Sequence, residues 1–422
     1  MEEDKVFTKI AWRIIPFMGL LYFIAFLDRV NVGFAALTMN EDIGLTPEMF
    51  GLGAGLFFFI GYFLFEVPSN VILLRVGARI WICRIMLTWG AISMAMALVQ
   101  GPYSFYVLRF LLGLAEAGFA PGMLLYLTFW FPPALRARYM AYYLTAIPLA
   151  GVIGAPLSSF ILETMPGVGG LTGWQWMFLI EGFPAVILGF VVLLYLPNGP
   201  ADSKWLTAEE KDVIAVRLGR EDQALAHSLW HGLLDLRVLA LCLVYFGIVI
   251  ALYGCTIWLP QIVDSMGFSI GQNGWVVSGI YLIAVLAMVL VGFSSERCDE
   301  YVWHVAITAI VAALALVVAG STSSIILTLL ALTVATSAVY ATLSPFWILP
   351  PGFLVGTAAA SGMALINAFG NLGGAAGPTL MGFLRENSGN YGSGMNALAV
   401  GLMLTAILVV VLKRYLLVDH ST

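Results

Sequence analysis

Six ionisable residues stand inside runs that are otherwise apolar: Asp28, Arg29, Glu66, Arg109, Glu116 and Glu181. An ionisable group in hydrocarbon costs several kcal/mol unless it is paired or faces water, so such residues are functional candidates by default. Arg109 and Glu116 are seven residues apart, which places them roughly 10 Å apart along a helix and on one face. Asp28 and Arg29 are adjacent and point about 100° apart, so they need not pair with each other. If their two helices adjoin, two acids and two guanidiniums line one cavity that is neutral when both acids are ionised. A guanidinium fork binds a carboxylate bidentately, which makes Arg29 and Arg109 candidate ligands for a small organic anion. The arriving carboxylate leaves one charge uncompensated, and a proton on Asp28 or Glu116 cancels it. Anion and proton should therefore bind cooperatively, with the proton as coupling ion and no metal or other cofactor. Glu66 and Glu181 lie nearer the ends of their runs and read as end-of-helix polar contacts. The second half of the chain has no ionisable residue inside its apolar runs. It offers Asn367 and Asn371, four apart and so on one helical face, as candidate ligands for substrate hydroxyls.

These residues need helices to hold them across a bilayer. Hydrophobic residues make up 61% of the chain and charged ones 10%, far below the roughly 25% charged of a soluble domain. Runs near the roughly 20 residues needed to cross hydrocarbon cover 13–38, 50–74, 79–99, 102–126, 138–162, 174–196, 237–260, 271–292, 302–320, 323–343, 354–383 and 392–412. The expected fold is an all-α polytopic membrane protein of twelve transmembrane helices. A six-helix bundle at 1–196 is followed by a polar linker at 197–236 and a second bundle at 237–422. Lys and Arg outside the spans gather on one side, from Lys5 and Lys9 through Arg75, Arg79 and Arg297 to Lys413 and Arg414; Arg385 alone falls on the other. The positive-inside rule then puts both termini and the linker in the cytoplasm, with the chain in the cell inner membrane. The net charge of -5 excludes a nucleic-acid partner. The partners expected are a small organic anion and the lipid bilayer, with a single chain as the working unit.

An internal repeat supports the two halves. Asp42 and Asp264 precede spans 2 and 8, and the Pro residues of GVIGAP (151–156) and GGAAGP (373–378) fall in spans 5 and 11; both pairs are 222 residues apart. Two parallel six-helix halves are the layout of an alternating-access transporter with its site between them. Arg75 and Arg79 after span 2, with Glu296 and Arg297 after span 8, suit a charged latch on the cytoplasmic surface. The cysteines at 83, 242, 255 and 298 form no C-x-x-C and read as helix-packing residues.

The stretches FLDRVNVGFAAL (26–37), GYFLFEVPSNVILLRVGARIWICRIMLTWG (61–90), FYVLRFLLGLAEAGFAPGMLLYLTFWFP (105–132), GWQWMFLIEGFPAV (173–186) and SSERCDEYVWHVA (294–306) resemble the major facilitator superfamily. Within it they resemble the anion:cation symporters, bacterial tartrate-transporter-like branch. The resemblance implies the major facilitator fold and proton-driven uptake of a tartrate-like, sugar or aromatic acid. It implies proton-linked acids at Asp28 and Glu116, anion ligands at Arg29 and Arg109, and a substrate contact at Asn371. Three positions depart from the family, one of them Glu296, where the second-half loop commonly has Asp. Leu74 stands where the first cytoplasmic loop usually has an acid, so the latch would draw on other partners. Span 5 offers Thr145-Ala146-Ile147-Pro148 where the sugar-acid branch has an amide, which weighs against a sugar acid. A facilitator or exchanger without net proton coupling fits the same residues, and so, less well, does a non-transporting membrane receptor. No nucleophile–His or metal-ligand arrangement points to an enzyme.

Overall fold

The computed structural model describes residues 2–222, 235–354 and 356–416. Among them there is helix and turn but no strand. Apolar runs in lipid must satisfy every backbone group internally, and only the helix does so within one segment. The first span is α1, Glu2–Asp42. The second is built from α2 (Pro47–Gly51), a π-helical turn (Leu52–Phe57) and α3 (Phe58–Val76). Then come α4 (Ala78–Ala95), α5 (Pro102–Glu116) with α6 (Phe119–Thr128), α7 (Pro133–Leu144) with α8 (Ala146–Thr164), and α9 (Gly173–Tyr195). The linker carries α10, Ala208–Asp222. The second half runs α11 (Leu236–Asp264), α12 (Ile270–Arg297), α13 (Val302–Ser321), α14 (Ile325–Phe346), α15 (Gly356–Ser388) and α16 (Gly392–Leu416). Eleven stretches among the described residues are long and apolar enough to cross a membrane, and the 33-residue α15 completes the twelve. Pro345 and the Pro350–Gly352 turn end the tenth span where the sequence breaks it.

The repeat is visible in local structure. α1 stops at Asp42 and α11 at Asp264, and each following helix opens on a hydroxyl cap, Thr46 or Ser269. The turn after the second span passes through Gly77 at φ 94°, and its counterpart 222 residues later is Asp299 at φ 46°. Both turns need a left-handed residue, which glycine adopts without the Cβ penalty.

Tyr195 OH donates to the Arg13 carbonyl (2.9 Å) and Tyr126 OH to the Pro197 carbonyl (2.8 Å), gathering linker and N-terminus at one end of the bundle. There Lys9 bonds Glu210 at 2.8 Å, and this ammonium with the Thr207 amide holds the Glu210 carboxyl below its usual range. At the distal end Trp174 Nε1 donates to Asp42 (2.7 Å). The halves meet along α8–α12, α2–α15 and α1–α11, and many of the joining contacts are distal. The Thr46 hydroxyl and the Glu48 amide donate to Glu386 at 2.7 and 2.8 Å, and Ser278 donates to the Val152 carbonyl at 2.7 Å. Gly51 lies against the Pro378 carbonyl and Gly274 against Ser159 and the Ala155 carbonyl, closer than a side chain would allow. α7, by contrast, packs on α1, α6 and α8 of its own half.

Cys83, Cys242 and Cys255 are buried as packing residues, whereas Cys298 is exposed on the turn after α12. The packing role expected for Cys298 is corrected, because the helix ends one residue before it.

Candidate functional site

Adjacent positions on α1 send Asp28 and Arg29 to different neighbours. Asp28 faces α4, where Trp89 and Ser93 are one turn apart. Trp89 Nε1 donates to Oδ2 at 2.7 Å, while Ser93 Oγ and Asn31 Nδ2 (3.3 Å) donate to Oδ1. This carboxylate is buried and satisfied by three neutral donors inside the first half.

Arg29 points to the centre. Its Nε and Nη2 both lie 2.6 Å from Glu116 Oε1. Nη1 donates to Tyr253 OH on α11 at 2.9 Å, so the pair also ties the two halves together. The guanidinium lies over the Tyr62 ring at 5.0 Å. Glu116 is the last residue of α5, where the fourth span breaks at Ala117 and Gly118. It is wholly buried, and its Oε2 has no hydrogen-bond partner.

Arg109, two turns earlier on α5, does not pair with Glu116. It reaches the π-helical turn, with Nε 3.3 Å from the Gly53 carbonyl and Nη2 3.1 Å from that of Ala54. The wider turn disturbs the regular ladder, and the guanidinium caps the exposed carbonyls. Phe105 occupies the space a side chain at Gly53 would take, and the Phe58 ring lies 4.6 Å from the guanidinium. Nη1 of Arg109 is buried without a partner. The expected cavity of two acids and two bases is thus corrected: Arg29 and Glu116 pair, Asp28 is held by neutral donors, and Arg109 spends Nε and Nη2 on carbonyls and leaves Nη1 unpaired.

Asn367 and Asn371 share a face of α15 as expected. Both donate across the half–half interface to one carboxylate, Asn367 Nδ2 to Glu66 Oε1 at 2.8 Å and Asn371 Nδ2 to Oε2 at 3.1 Å. Glu66, read as an end-of-helix contact, is buried inside the bundle. The second span starts at Pro47 and runs to Val76, so Glu66 lies well within it. Glu181 is buried as well; Ser158 Oγ donates to its Oε1 at 2.7 Å, and Oε2 has no partner. Among the described residues the buried charged groups are therefore four carboxyls and two guanidiniums, where the sequence reading balanced two against two.

Aromatic rings wall the centre. Tyr22 stacks on Tyr143 (4.3 Å), Phe59 meets Tyr253 edge-on (4.7 Å), and Tyr245 lies between Phe346 and Trp347, 4.9 Å from each. Trp89 and Ser93 were not singled out in the sequence; only their helical spacing opposite Asp28 would have marked them. Arg75, Arg79, Glu296 and Arg297 are exposed, and among the described residues none forms an ion pair with a partner. The turn at Gly77 is held instead by linker Asn198, whose Oδ1 accepts from the Arg79 amide at 3.1 Å. Among the described residues no group of three His, Cys, Asp or Glu could hold a metal ion.

Residues 18–378 match the family model described as Major Facilitator Superfamily. A protein of Agrobacterium vitis named "Putative tartrate transporter" is 50% identical over 415 residues, covering 98% of this chain and 92% of its own. A "Quinolone resistance transporter" of Acinetobacter baumannii is 41% identical over 421 residues, covering 98% and 96%. The solved structure of the xylose transporter XylE from E. coli, in a partially occluded inward open conformation, superposes with a TM-score of 0.78 at 15% identity, covering 97% of this chain and 98% of that one. That likeness is one of fold.

Proposed function

Because the chain belongs to the major facilitator superfamily, we propose that this transporter carries a small hydroxylated organic acid of the tartrate kind inward together with protons. It moves cargo across the membrane by alternating access and is not an enzyme. The observation that supports coupling is the buried Arg29–Glu116 pair. A substrate carboxylate competes with Glu116 for the same guanidinium fork. Removing one partner of a buried ion pair is costly, because the other charge is left uncompensated. A proton on Glu116 removes that cost and frees Arg29, so proton and anion bind together. Arg109 offers the second guanidinium, through the Nη1 that has no partner. Asp28 is linked to coupling indirectly: held ionised by its α4 donors behind Arg29, it sets the field in which Glu116 takes up its proton. Asn367 and Asn371 take substrate oxygens.

The distal contacts describe a state shut at the end away from the termini. With the Lys- and Arg-rich end in the cytoplasm of an inner-membrane protein, this is the inward-facing side of the cycle. Arg75, Arg79, Glu296 and Arg297 form no ion pair among the described residues in it, and they form the latch when the cytoplasmic end closes. The substrate kind rests on the tartrate relative and on amides and carboxylates that suit hydroxyls. One chain is the working unit.

The test is tartrate uptake into proteoliposomes at two external pH values. Uptake should rise as the outside is made more acidic. Glu116→Gln should keep tartrate exchange but lose accumulation driven by the pH gradient, and Asp28→Asn should weaken that accumulation. Wild-type uptake that ignores the gradient would overturn coupling. Unchanged coupling in Glu116→Gln would remove Glu116 from it.

A further inference from the structure

Glu66 takes no part in the Arg29–Glu116 exchange, yet it lies beside it. It is one turn beyond Tyr62 on α3, and the Tyr62 ring lies under the Arg29 guanidinium at 5.0 Å. Glu66 is close enough to Arg29 to interact with its charge, so an acid held by Arg29 is placed to extend toward the Glu66 amide cluster. Both Glu66 oxygens accept N–H bonds from α15, the pattern of an ionised carboxylate, which accepts only. Neither donor is charged. The charged and titratable groups facing Glu66 are Arg29 from α1, Tyr245 from α11 and Tyr62 on its own helix. Arg29 is already committed to Glu116. α15 brings the two neutral amides, and Asn70 bonds only the Glu66 backbone carbonyl.

Charge balance supplies the second step. With every buried group among the described residues ionised, four carboxyls against two guanidiniums leave that set negative before any anion enters. Tartrate adds two more negative charges, and a proton on Glu116 cancels one. If tartrate oxygens draw the Asn367 and Asn371 amides away, Glu66 is left buried with no donor. An ionised carboxylate in that position costs several kcal/mol, and a proton relieves it.

We propose that Glu66 is a proton-binding site of the transport cycle, ionised while Asn367 and Asn371 hold it and protonated when the substrate takes those amides. The proton enters from the face that admits the substrate and leaves with it on the other side. Each tartrate then travels with one proton at Glu116 and one at Glu66. This rests on the proton-coupled reading above.

The experiment uses the full chain in proteoliposomes with tartrate, a fixed inward pH gradient and a potential set by potassium and valinomycin. Two protons with doubly charged tartrate move no net charge, so wild-type accumulation should be indifferent to the potential. Glu66→Gln should carry one proton fewer, and an inside-negative potential of about 100 mV should then lower accumulated tartrate ~50-fold. Asn367→Ala gives a second reading on purified protein in weak buffer. Having lost a donor, Glu66 should already hold its proton, so tartrate-induced proton uptake, followed with a pH dye, should fall by one proton per chain. Accumulation in Glu66→Gln that stays indifferent to the potential, or undiminished proton uptake in Asn367→Ala, overturns the role of Glu66 and leaves coupling at Glu116 standing. Wild-type uptake that is absent or blind to the pH gradient overturns the proposed function and this inference with it.

Discussion

Asp28 and Arg29 are neighbours in sequence with opposite surroundings, and the difference sets their energetics. Asp28 is held by neutral donors alone, so each donor carries part of its desolvation cost. Trp89→Phe removes the indole N–H from Oδ2 while nearly keeping the ring packing. It should cost about 1–3 kcal/mol, the usual penalty for stranding a buried polar group. A fall in melting temperature on purified protein reads that loss. Adding Asp28→Asn to Trp89→Phe should restore part of it, since the stranded charge is gone; a strictly additive double variant would show that indole and carboxylate do not interact. That these residues matter was legible in the sequence, because charge in an apolar run is costly wherever it falls. Their partners were not legible. Pairing depends on how each helix is rotated and where its neighbours pack, and one residue of rotation turned Asp28 towards α4 and Arg29 towards Glu116. Glu66 was misjudged for a related reason: its burial depends on α15 packing across it from the other half, which the residues of the second span do not show.

At the scale of elements, the breaks matter more than the regular turns. The π-helical turn Leu52–Phe57 faces Arg109 on one side and α15 on the other, where Thr379 Oγ1 donates to the Gly51 carbonyl at 3.2 Å. Arg109 therefore has a structural duty before any substrate arrives. Arg109→Lys keeps the charge but cannot span the Gly53 and Ala54 carbonyls with a single ammonium. It should lower stability in ligand-free protein by about 2 kcal/mol, near the worth of a hydrogen bond to a charged group. A ligand-free melt equal to wild type would mean that the carbonyls need no cap. The turns between spans allow a complementary gain. Asp299 holds a positive φ, 46°, as its repeat partner Gly77 does at 94°, and glycine alone takes such a φ without a Cβ penalty. Asp299→Gly should then stabilise the chain by about 1 kcal/mol, the order of the strain an L-residue carries there. Melting at or below wild type would show that Asp299 makes a contact worth more than the strain. The sequence showed where spans begin and end, through Pro, Gly and hydroxyl caps. It did not show the π-helical turn, which arises from how glycines pack against Phe105 and α15.

For the whole molecule, the repeat was readable because both halves keep one spacing over long distances, from the ends of α1 and α11 to the prolines of α8 and α15. Which end of the bundle is closed was not readable, since one sequence must support both states with only a few kcal/mol between them. The closed end is the distal one, and its outermost link joins Thr46 to Glu386 at 2.7 Å across the halves. If transport needs this end to open, a covalent bond there must stop it. Replacing Thr46 and Glu386 by cysteine, with exposed Cys298 changed to serine to avoid mispairing, should give a crosslink under mild oxidation of ligand-free protein. The linker between the halves offers a place for proteolysis, after which crosslinked halves stay together on a denaturing gel and reduced halves separate. Tartrate uptake should cease in the oxidised protein and return on reduction, while each single-cysteine variant is indifferent to oxidant. A fully crosslinked transporter that still carries tartrate would mean that the distal contact is no gate, and that access alternates by a motion leaving α2 and α15 together.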